Sequence, residues 1–238
     1  RRRTNRGRVG LAAACLLVTA IAGCSNESEE PVEADATPEA SRTPADASST
    51  DAAGRGDVSE TTYHNAFFGL RLSWPEDWVV QDEASLDSLR AAGMDALSGD
   101  DEARRAELEA EAARSVTLFR VAAPAPAAGV RPSVTCLAER IDPGSPVEEA
   151  ADYLDLVSAL LTRGEASGTT IGPREMRTIG GRSFETMRVR LGGGSVALEQ
   201  VYSARMERGF VLLLVTSEPA GAPDAGVSSV LASMSFDD

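Results

Sequence analysis

Apolar and polar residues alternate in several short stretches of the chain, which is the pattern of half-buried β-strands. In residues 70–74 every second side chain is apolar, and Pro75 ends the run. In residues 187–191 apolar side chains alternate with arginines. Residues 210–215 are apolar at every position, which predicts a strand that is covered on both faces. These patterns predict an antiparallel sheet with a buried central strand.

Two helices are predicted in the middle of the chain. Leu86, Leu89 and Met94 indicate a short helix that is broken by Gly93 and Gly99. A second helix starts at Asp100-Asp101 and runs to about Arg114, with acidic residues at its beginning and Leu108 as its only large apolar side chain. We interpret residues 98–114 as an acidic helical insertion on the surface of the domain.

The strongest helical signal follows Ser145. Ser145 and Glu148 match a Ser-x-x-Glu capping box, Pro146 occupies the first helical position, and Gly164 ends the helix. Its apolar stripe consists of Val147, Ala150, Leu154, Val157 and Leu161. A last short helix begins at Pro223-Asp224 and carries apolar residues from Val227 to Met234.

Further strands are predicted from runs of apolar and β-branched residues. They cover residues 78–80, 116–121, 133–141, 174–179, 183–191 and 196–205. The dipeptide Gly180-Gly181 predicts a tight turn between two of them. The order of strands and helices predicts an α+β domain, in which helices pack on an antiparallel β-sheet. Trp74 and Trp78 flank a turn between apolar strands, and we expect both in the core.

The N-terminal residues have the layout of an export signal. Five arginines lie within residues 1–8 and are followed by the apolar run 9–22. A helix of that length spans about 21 Å, which is too short for a bilayer core of about 30 Å and argues against a retained transmembrane helix. The sequence Ile21-Ala22-Gly23-Cys24 resembles the lipobox of bacterial lipoproteins. This resemblance implies that residues 1–23 are a signal peptide and that Cys24 carries the lipid.

Residues 24–61 join this anchor to the domain at 62–238. From residue 25 to 60 there is no aromatic residue, and ten acidic residues stand against two arginines. Such a segment cannot bury enough apolar surface to offset its chain entropy, so we expect a disordered linker. The whole chain has a net charge of −14. This acidity argues against binding to nucleic acid.

Few residues of the domain are suited to catalysis. After Cys15 and Cys24, Cys136 is the remaining cysteine, and its strand-like surroundings predict a buried apolar role. His64 is the single histidine, and no Gly-x-Ser-x-Gly motif, P-loop or zinc-ligand spacing is present. We therefore expect no catalytic residues, cofactor or metal. The alternative is an envelope hydrolase or cation-dependent enzyme that uses carboxylates alone.

The sequence also resembles PsbP-like and DcrB-like domains. The resemblance rests on Ser73-Trp74-Pro75-Glu76-Asp77-Trp78, on Gly180-Gly181-Arg182 and on the C-terminal run 230–236, and it covers about 62–238. It implies an α/β/α sandwich, used mainly by binding proteins, with no shared active site. The segment 98–114 is not explained by it.

These observations predict a lipoprotein of the cell envelope, anchored at Cys24 outside the cytoplasm. In a Gram-negative host the residue after Cys24, Ser25, favours the periplasmic face of the outer membrane, by resemblance to known sorting rules. The domain is expected to be a non-catalytic protein-binding or scaffold module. Its partner would meet either a groove beside the sheet or the acidic segment 98–114.

Overall fold

The computed structural model describes residues 53–124, 130–163, 169–192, 197–221 and 226–237. The signal segment, Cys24 and the linker up to residue 52 lie outside these residues. The helices are α1 (Glu83–Ser98), α2 (Glu102–Ala112), α3 (Ala150–Arg163) and α4 (Val227–Ser233). The strands are β1 (Asp57–Ser59), β2 (Thr62–Asn65), β3 (Leu70–Ser73), β4 (Val79–Val80), β5 (Ser115–Ala122), β6 (Ser133–Arg140), β7 (Thr170–Ile179), β8 (Arg182–Leu191), β9 (Leu198–Glu207), β10 (Phe210–Pro219) and β11 (Ser235–Phe236).

The strands form two sheets whose neighbouring strands are antiparallel. The large sheet has the order β4-β5-β6-β10-β9-β8-β7, and the small sheet has the order β1-β2-β3-β11. The helices pack on these sheets, so the predicted α+β class is confirmed. None of the helices in the described ranges is long and apolar enough to cross a membrane.

Strand β10 lies inside the large sheet and is buried on both faces, as its sequence predicts. Leu212 and Leu214 belong to a first core, which joins the large sheet to the small sheet and to α4. Val211 and Leu213 belong to a second core, which joins the other face of the large sheet to α3. Since side chains alternate along a strand, the apolar run 210–215 supplies apolar side chains to both cores. The sandwich implied by the resemblance therefore has α3 on one side, and the small sheet with α4 on the other.

Helix α1 corrects the prediction of a break at Gly93. The helix is continuous through the buried Gly93 and ends at Gly99, whose φ is +52° and whose N–H donates to the carbonyl of Asp95. A glycine inside a helix costs about 1 kcal/mol, which the capped ends and the packing of a 16-residue helix can offset. Asp82 caps its start by accepting a hydrogen bond from the N–H of Ser85 at 2.8 Å.

Helix α2 is a surface helix within the predicted segment. Glu102, Ala103 and Glu109 are exposed, whereas Leu108 is only 1% exposed. The buried Leu108 and Ala112 therefore attach the helix to the domain.

Helix α3 begins later than the capping-box pattern predicts. Ser145 accepts a hydrogen bond from the N–H of Val147 at 3.2 Å, but the helix starts only at Ala150. The carboxylate of Asp152 accepts from the N–H groups of Glu148 and Glu149, at 2.9 and 3.0 Å. These backbone hydrogen bonds lower the pKa of Asp152. The predicted apolar stripe is confirmed, since Val147, Leu154, Val157 and Leu161 are buried in the second core; Gly164 lies outside the described residues.

Candidate binding groove

The first-core face of the large sheet is covered only in part. The small sheet and α4 pack over Cys136, Phe184 and Leu212, but the far ends of β8 and β9 are open. Along the edge of α4 lies a groove of about 350 Å³, which we call the α4 groove. It is lined by Arg177, Thr178, Ile179, Gly180, Gly181, Val201, Ser203, Leu214, Thr216, Leu231, Ala232 and Met234.

The floor of the α4 groove is a mixed patch on β9 and β10. Ser203 stands opposite Leu214, and Val201 stands opposite Thr216, so each strand contributes one hydroxyl and one apolar side chain. The hydroxyl of Ser203 also lies 3.1 Å from that of the buried Thr186 on β8. Such a floor combines apolar contact area with a few fixed polar groups, which is the usual composition of a ligand site.

The wall of the groove is α4, which is held by a hydrogen-bond bridge to β3. The hydroxyl of Ser233 donates to the carbonyl of Ser73 at 2.7 Å and accepts from its N–H at 2.9 Å. At the start of α4, Gly226 has a φ of +99°, and a Cβ built there would lie 3.3 Å from the indole nitrogen of Trp78. Leu231 and Ala232 are thereby positioned over the floor.

The charge of the groove comes from an arginine at its rim. Arg177, on the edge strand β7, is exposed, and its Nε lies 3.9 Å from Glu175 Oε1. No carboxylate belongs to the lining residues. Asp82 and Asp152, whose pKa values are lowered by hydrogen bonds from backbone N–H groups, lie at the starts of α1 and α3 and do not line the groove. The groove can therefore receive an apolar group that lies beside an anionic one.

Residues predicted to lie in the core do so. Trp74 and Trp78 are buried in the first core. Cys136 is 2% exposed, and its burial raises the pKa of the thiol to about 12, which suits the predicted apolar role.

His64 and Cys136 are not brought together. On β2 the buried side chains are Tyr63 and Asn65, so His64 projects from the outer face of the small sheet, opposite Asp57 and Arg71. Cys136 lies on the inner side, in the first core. A thiol–imidazole pair is therefore not formed. In the described ranges no group of three or more His, Cys, Asp or Glu side chains is placed to hold a metal ion. Cys24 lies outside the described residues.

A buried carboxyl that the sequence analysis missed lies in the second core. Tyr153 of α3 donates a hydrogen bond to Glu139 Oε2 of β6 at 2.7 Å, and both side chains are almost fully buried. Burial, together with the neighbouring Glu139, raises the pKa of Tyr153 well above its usual value. Because the pair is enclosed, its effect is to join α3 to the sheet. The sequence feature that could have indicated this pair is Glu139, a charged residue within the otherwise buried strand β6.

Comparison with known proteins gives similarity in solved structures alone. No family model matches the chain, and the search of curated proteins found no match. The solution structure of the cyanobacterial PsbP (CyanoP) of Synechocystis is 15% identical, with 77% of this chain and 96% of that chain covered and a TM-score of 0.45. LpqN of Mycobacterium tuberculosis, described as involved in cell envelope biogenesis, is 14% identical, with 71% and 83% covered and a TM-score of 0.38. A protein of Bacteroides thetaiotaomicron is 10% identical with a TM-score of 0.39; this chain is covered over 71% but spans only 46% of that protein.

Proposed function

We propose that the protein is a lipoprotein of the cell envelope, attached to the membrane through Cys24, whose α+β domain binds a protein partner outside the cytoplasm and is not an enzyme. The support for the anchor is in the sequence: a cationic start, an apolar run too short to span a bilayer, and the lipobox-like Ile21-Ala22-Gly23-Cys24. The resemblance of 62–238 to PsbP-like and DcrB-like domains agrees with a binding role.

The α4 groove is the observation that carries the binding function. It is open along one side of α4, and its floor presents Val201 and Leu214 beside the hydroxyls of Ser203 and Thr216. An enzyme that relied on carboxylates would need them to converge on a cleft with shifted pKa values. The lining instead offers one arginine, hydroxyls and apolar side chains, which suits recognition.

The partner that this lining fits is a segment with an apolar side chain next to a carboxylate. The apolar group would rest on Val201 and against Leu231, and the carboxylate would face Arg177. A guanidinium suits this role because it can donate two parallel hydrogen bonds to one carboxylate.

Filling the groove tests the proposal. Ala232 is exposed on the groove wall, so Ala232→Trp places a large ring in the groove without entering the core. Ala103→Trp makes the same change on an exposed position of α2 and serves as the matched control. Partners are identified by proximity labelling of the full chain in its native envelope, and binding of each is then measured with purified proteins.

We expect to find a partner that binds the wild-type protein and Ala103→Trp with equal affinity. Its affinity for Ala232→Trp should be at least tenfold lower, which corresponds to a loss of about 1.4 kcal/mol of binding free energy. Equal binding to all three proteins would contradict the groove as the docking site. Loss with Ala103→Trp alone would assign docking to the acidic segment 98–114 instead.

A further inference from the structure

Arg120 of β5 is a half-buried cation whose Nε lacks a hydrogen-bond partner among the described residues. It lies opposite Thr135 of β6, on the sheet face that carries Leu137 and the second core. The Nε atom itself is buried. Arg114 and Arg140 also have a buried Nε without a partner, but both form an ion pair with Asp142, at 3.1 and 3.3 Å.

The charged neighbour that acts on Arg120 is a second arginine. Burial, the larger cause, and the positive charge of Arg131 together lower the pKa of Arg120 to about 10. Arg131 is held in place by a hydrogen bond from its Nε to the carbonyl of Ala123, in the segment that follows β5. Two guanidinium groups are thus held near each other, although acidic residues greatly outnumber basic ones in this chain.

Gln81 adds an amide with a buried oxygen on the β4 side of Arg120. The N–H of Gln81 donates to the carbonyl of Arg120 at 2.9 Å, so the two residues are neighbours across the strand pair. Val80 pairs with Val121, and the alternation of side chains places Gln81 on the same face as Arg120. Oε1 of Gln81 is also buried without a hydrogen-bond partner in the described part of the chain.

A buried guanidinium N–H without an acceptor is costly, and a second cation beside the group raises the cost. An anion that accepted hydrogen bonds from both guanidinium groups would remove this penalty. Phosphate matches the pair best, because its oxygens suit the guanidinium fork and its charge, about −1.5 to −2 for free phosphate and −1 for the phosphodiester of a lipid headgroup, offsets the positive charge of the arginines. In free phosphate a protonated oxygen would in addition be a donor for Gln81 Oε1.

We propose that Arg120, Arg131 and Gln81 form a binding site for a phosphate group, either free phosphate or the phosphate of a lipid headgroup. The site is on the opposite face of the large sheet from the α4 groove, so it does not depend on the proposed function.

The first test is titration of the purified full chain with inorganic phosphate, by calorimetry, at an ionic strength kept constant with chloride. We expect Arg120→Gln and Arg131→Gln each to lose about tenfold or more in affinity, since each variant removes a charge-assisted hydrogen bond to the phosphate. Arg190→Gln is the matched control, because Arg190 is exposed and lies on the other face of the sheet, and it should bind like the wild-type protein.

Vesicles of phosphatidylglycerol distinguish the two sources. If inorganic phosphate binds and its binding depends on Arg120, free phosphate is a sufficient ligand. If only the vesicles bind, and their binding depends on Arg120, the ligand is the phosphate of a lipid headgroup. Thermal melts check folding: Arg120→Gln should be at least as stable as the wild-type protein in chloride, because an uncompensated charge has been removed, and phosphate should raise the melting temperature of the wild-type protein more than that of the variant.

Binding that is equal in Arg120→Gln and Arg190→Gln would overturn the proposal, as would the absence of binding to both phosphate and vesicles. Should Arg120→Gln fail to fold, Arg131→Gln decides alone, since Arg131 is only half-buried.

Discussion

Trp78 and Leu154 occupy the two cores and show how much single side chains contribute to stability. Trp78 is 5% exposed in the first core, beside Gly226, and Leu154 is 0% exposed in the second. Truncation of either to Ala should lower the free energy of unfolding by about 2–5 kcal/mol, because a large apolar side chain is lost and a cavity remains. Glu109→Ala, on an exposed position of α2, should change it by less than about 0.5 kcal/mol. Denaturant melts measure the three values, and equal midpoints would contradict this assignment of buried and exposed residues.

Large apolar residues could be placed from the sequence, whereas buried polar pairs could not. Trp74, Trp78 and Cys136 were expected in the core and are there, since apolar surface favours burial wherever the chain provides a core. The pairing of Tyr153 with Glu139 joins a helix to a strand, and that of Thr186 with Ser203 joins two strands. Such partners are chosen by packing, and nothing in the local sequence indicates them.

At the level of elements, the β7–β8 turn is formed by two glycines with different surroundings. Gly180 and Gly181 have φ values of +58° and +77°, which non-glycine residues adopt only with strain. A Cβ on Gly180 would lie 3.0 Å from the ring of Phe236 and 3.1 Å from the carbonyl oxygen of Met234. A Cβ on Gly181 would meet nothing within 4 Å.

The two glycines therefore give a matched pair of variants. Gly181→Ala should lose about 1–2 kcal/mol of stability from backbone strain alone. Gly180→Ala should lose clearly more, because the added methyl also displaces Phe236 and the end of α4. Thermal melts of both variants provide the comparison. A larger loss of stability for Gly181→Ala than for Gly180→Ala would contradict the contact between this turn and the C-terminal residues.

Element types were predicted better than element ends. The turn at Gly180-Gly181 and the stripe of α3 follow from local patterns, and the structure confirms them. Helix α1 continues through Gly93, and α3 begins at Ala150 and not at Pro146. In the second case the carboxylate of Asp152 satisfies the N–H groups of Glu148 and Glu149 and competes with the capping box. Alternative start and end positions of a helix differ by only a few hydrogen bonds, so a single competing contact can decide between them.

At the scale of the whole molecule, membrane attachment and folding are predicted to be separate properties. Cys24→Ala removes the thiol that is proposed to carry the lipid, and the protein should move from the membrane fraction to the soluble fraction with an unchanged melt of the domain. Ser25→Ala changes the adjacent residue and keeps the thiol, so it should remain in the membrane fraction. Cell fractionation and circular dichroism measure the two properties. Mature-sized Cys24→Ala protein in the membrane pellet would contradict the lipid anchor.

Local sequence alone was enough to predict the α+β class, the strand buried on both faces, the surface character of α2 and the core role of Trp78, because periodicity and composition report directly on burial. The α4 groove and the pairing of Arg120 with Arg131 were decided by the tertiary structure. The groove exists because α4, near the C-terminus, is held against β3 by Ser233 and leaves part of the sheet uncovered. Among the described residues, the packing around β5 leaves Arg120 Nε without a hydrogen-bond partner and brings the charge of Arg131 to bear on it. Both depend on contacts between distant segments, whose free energy no local pattern contains.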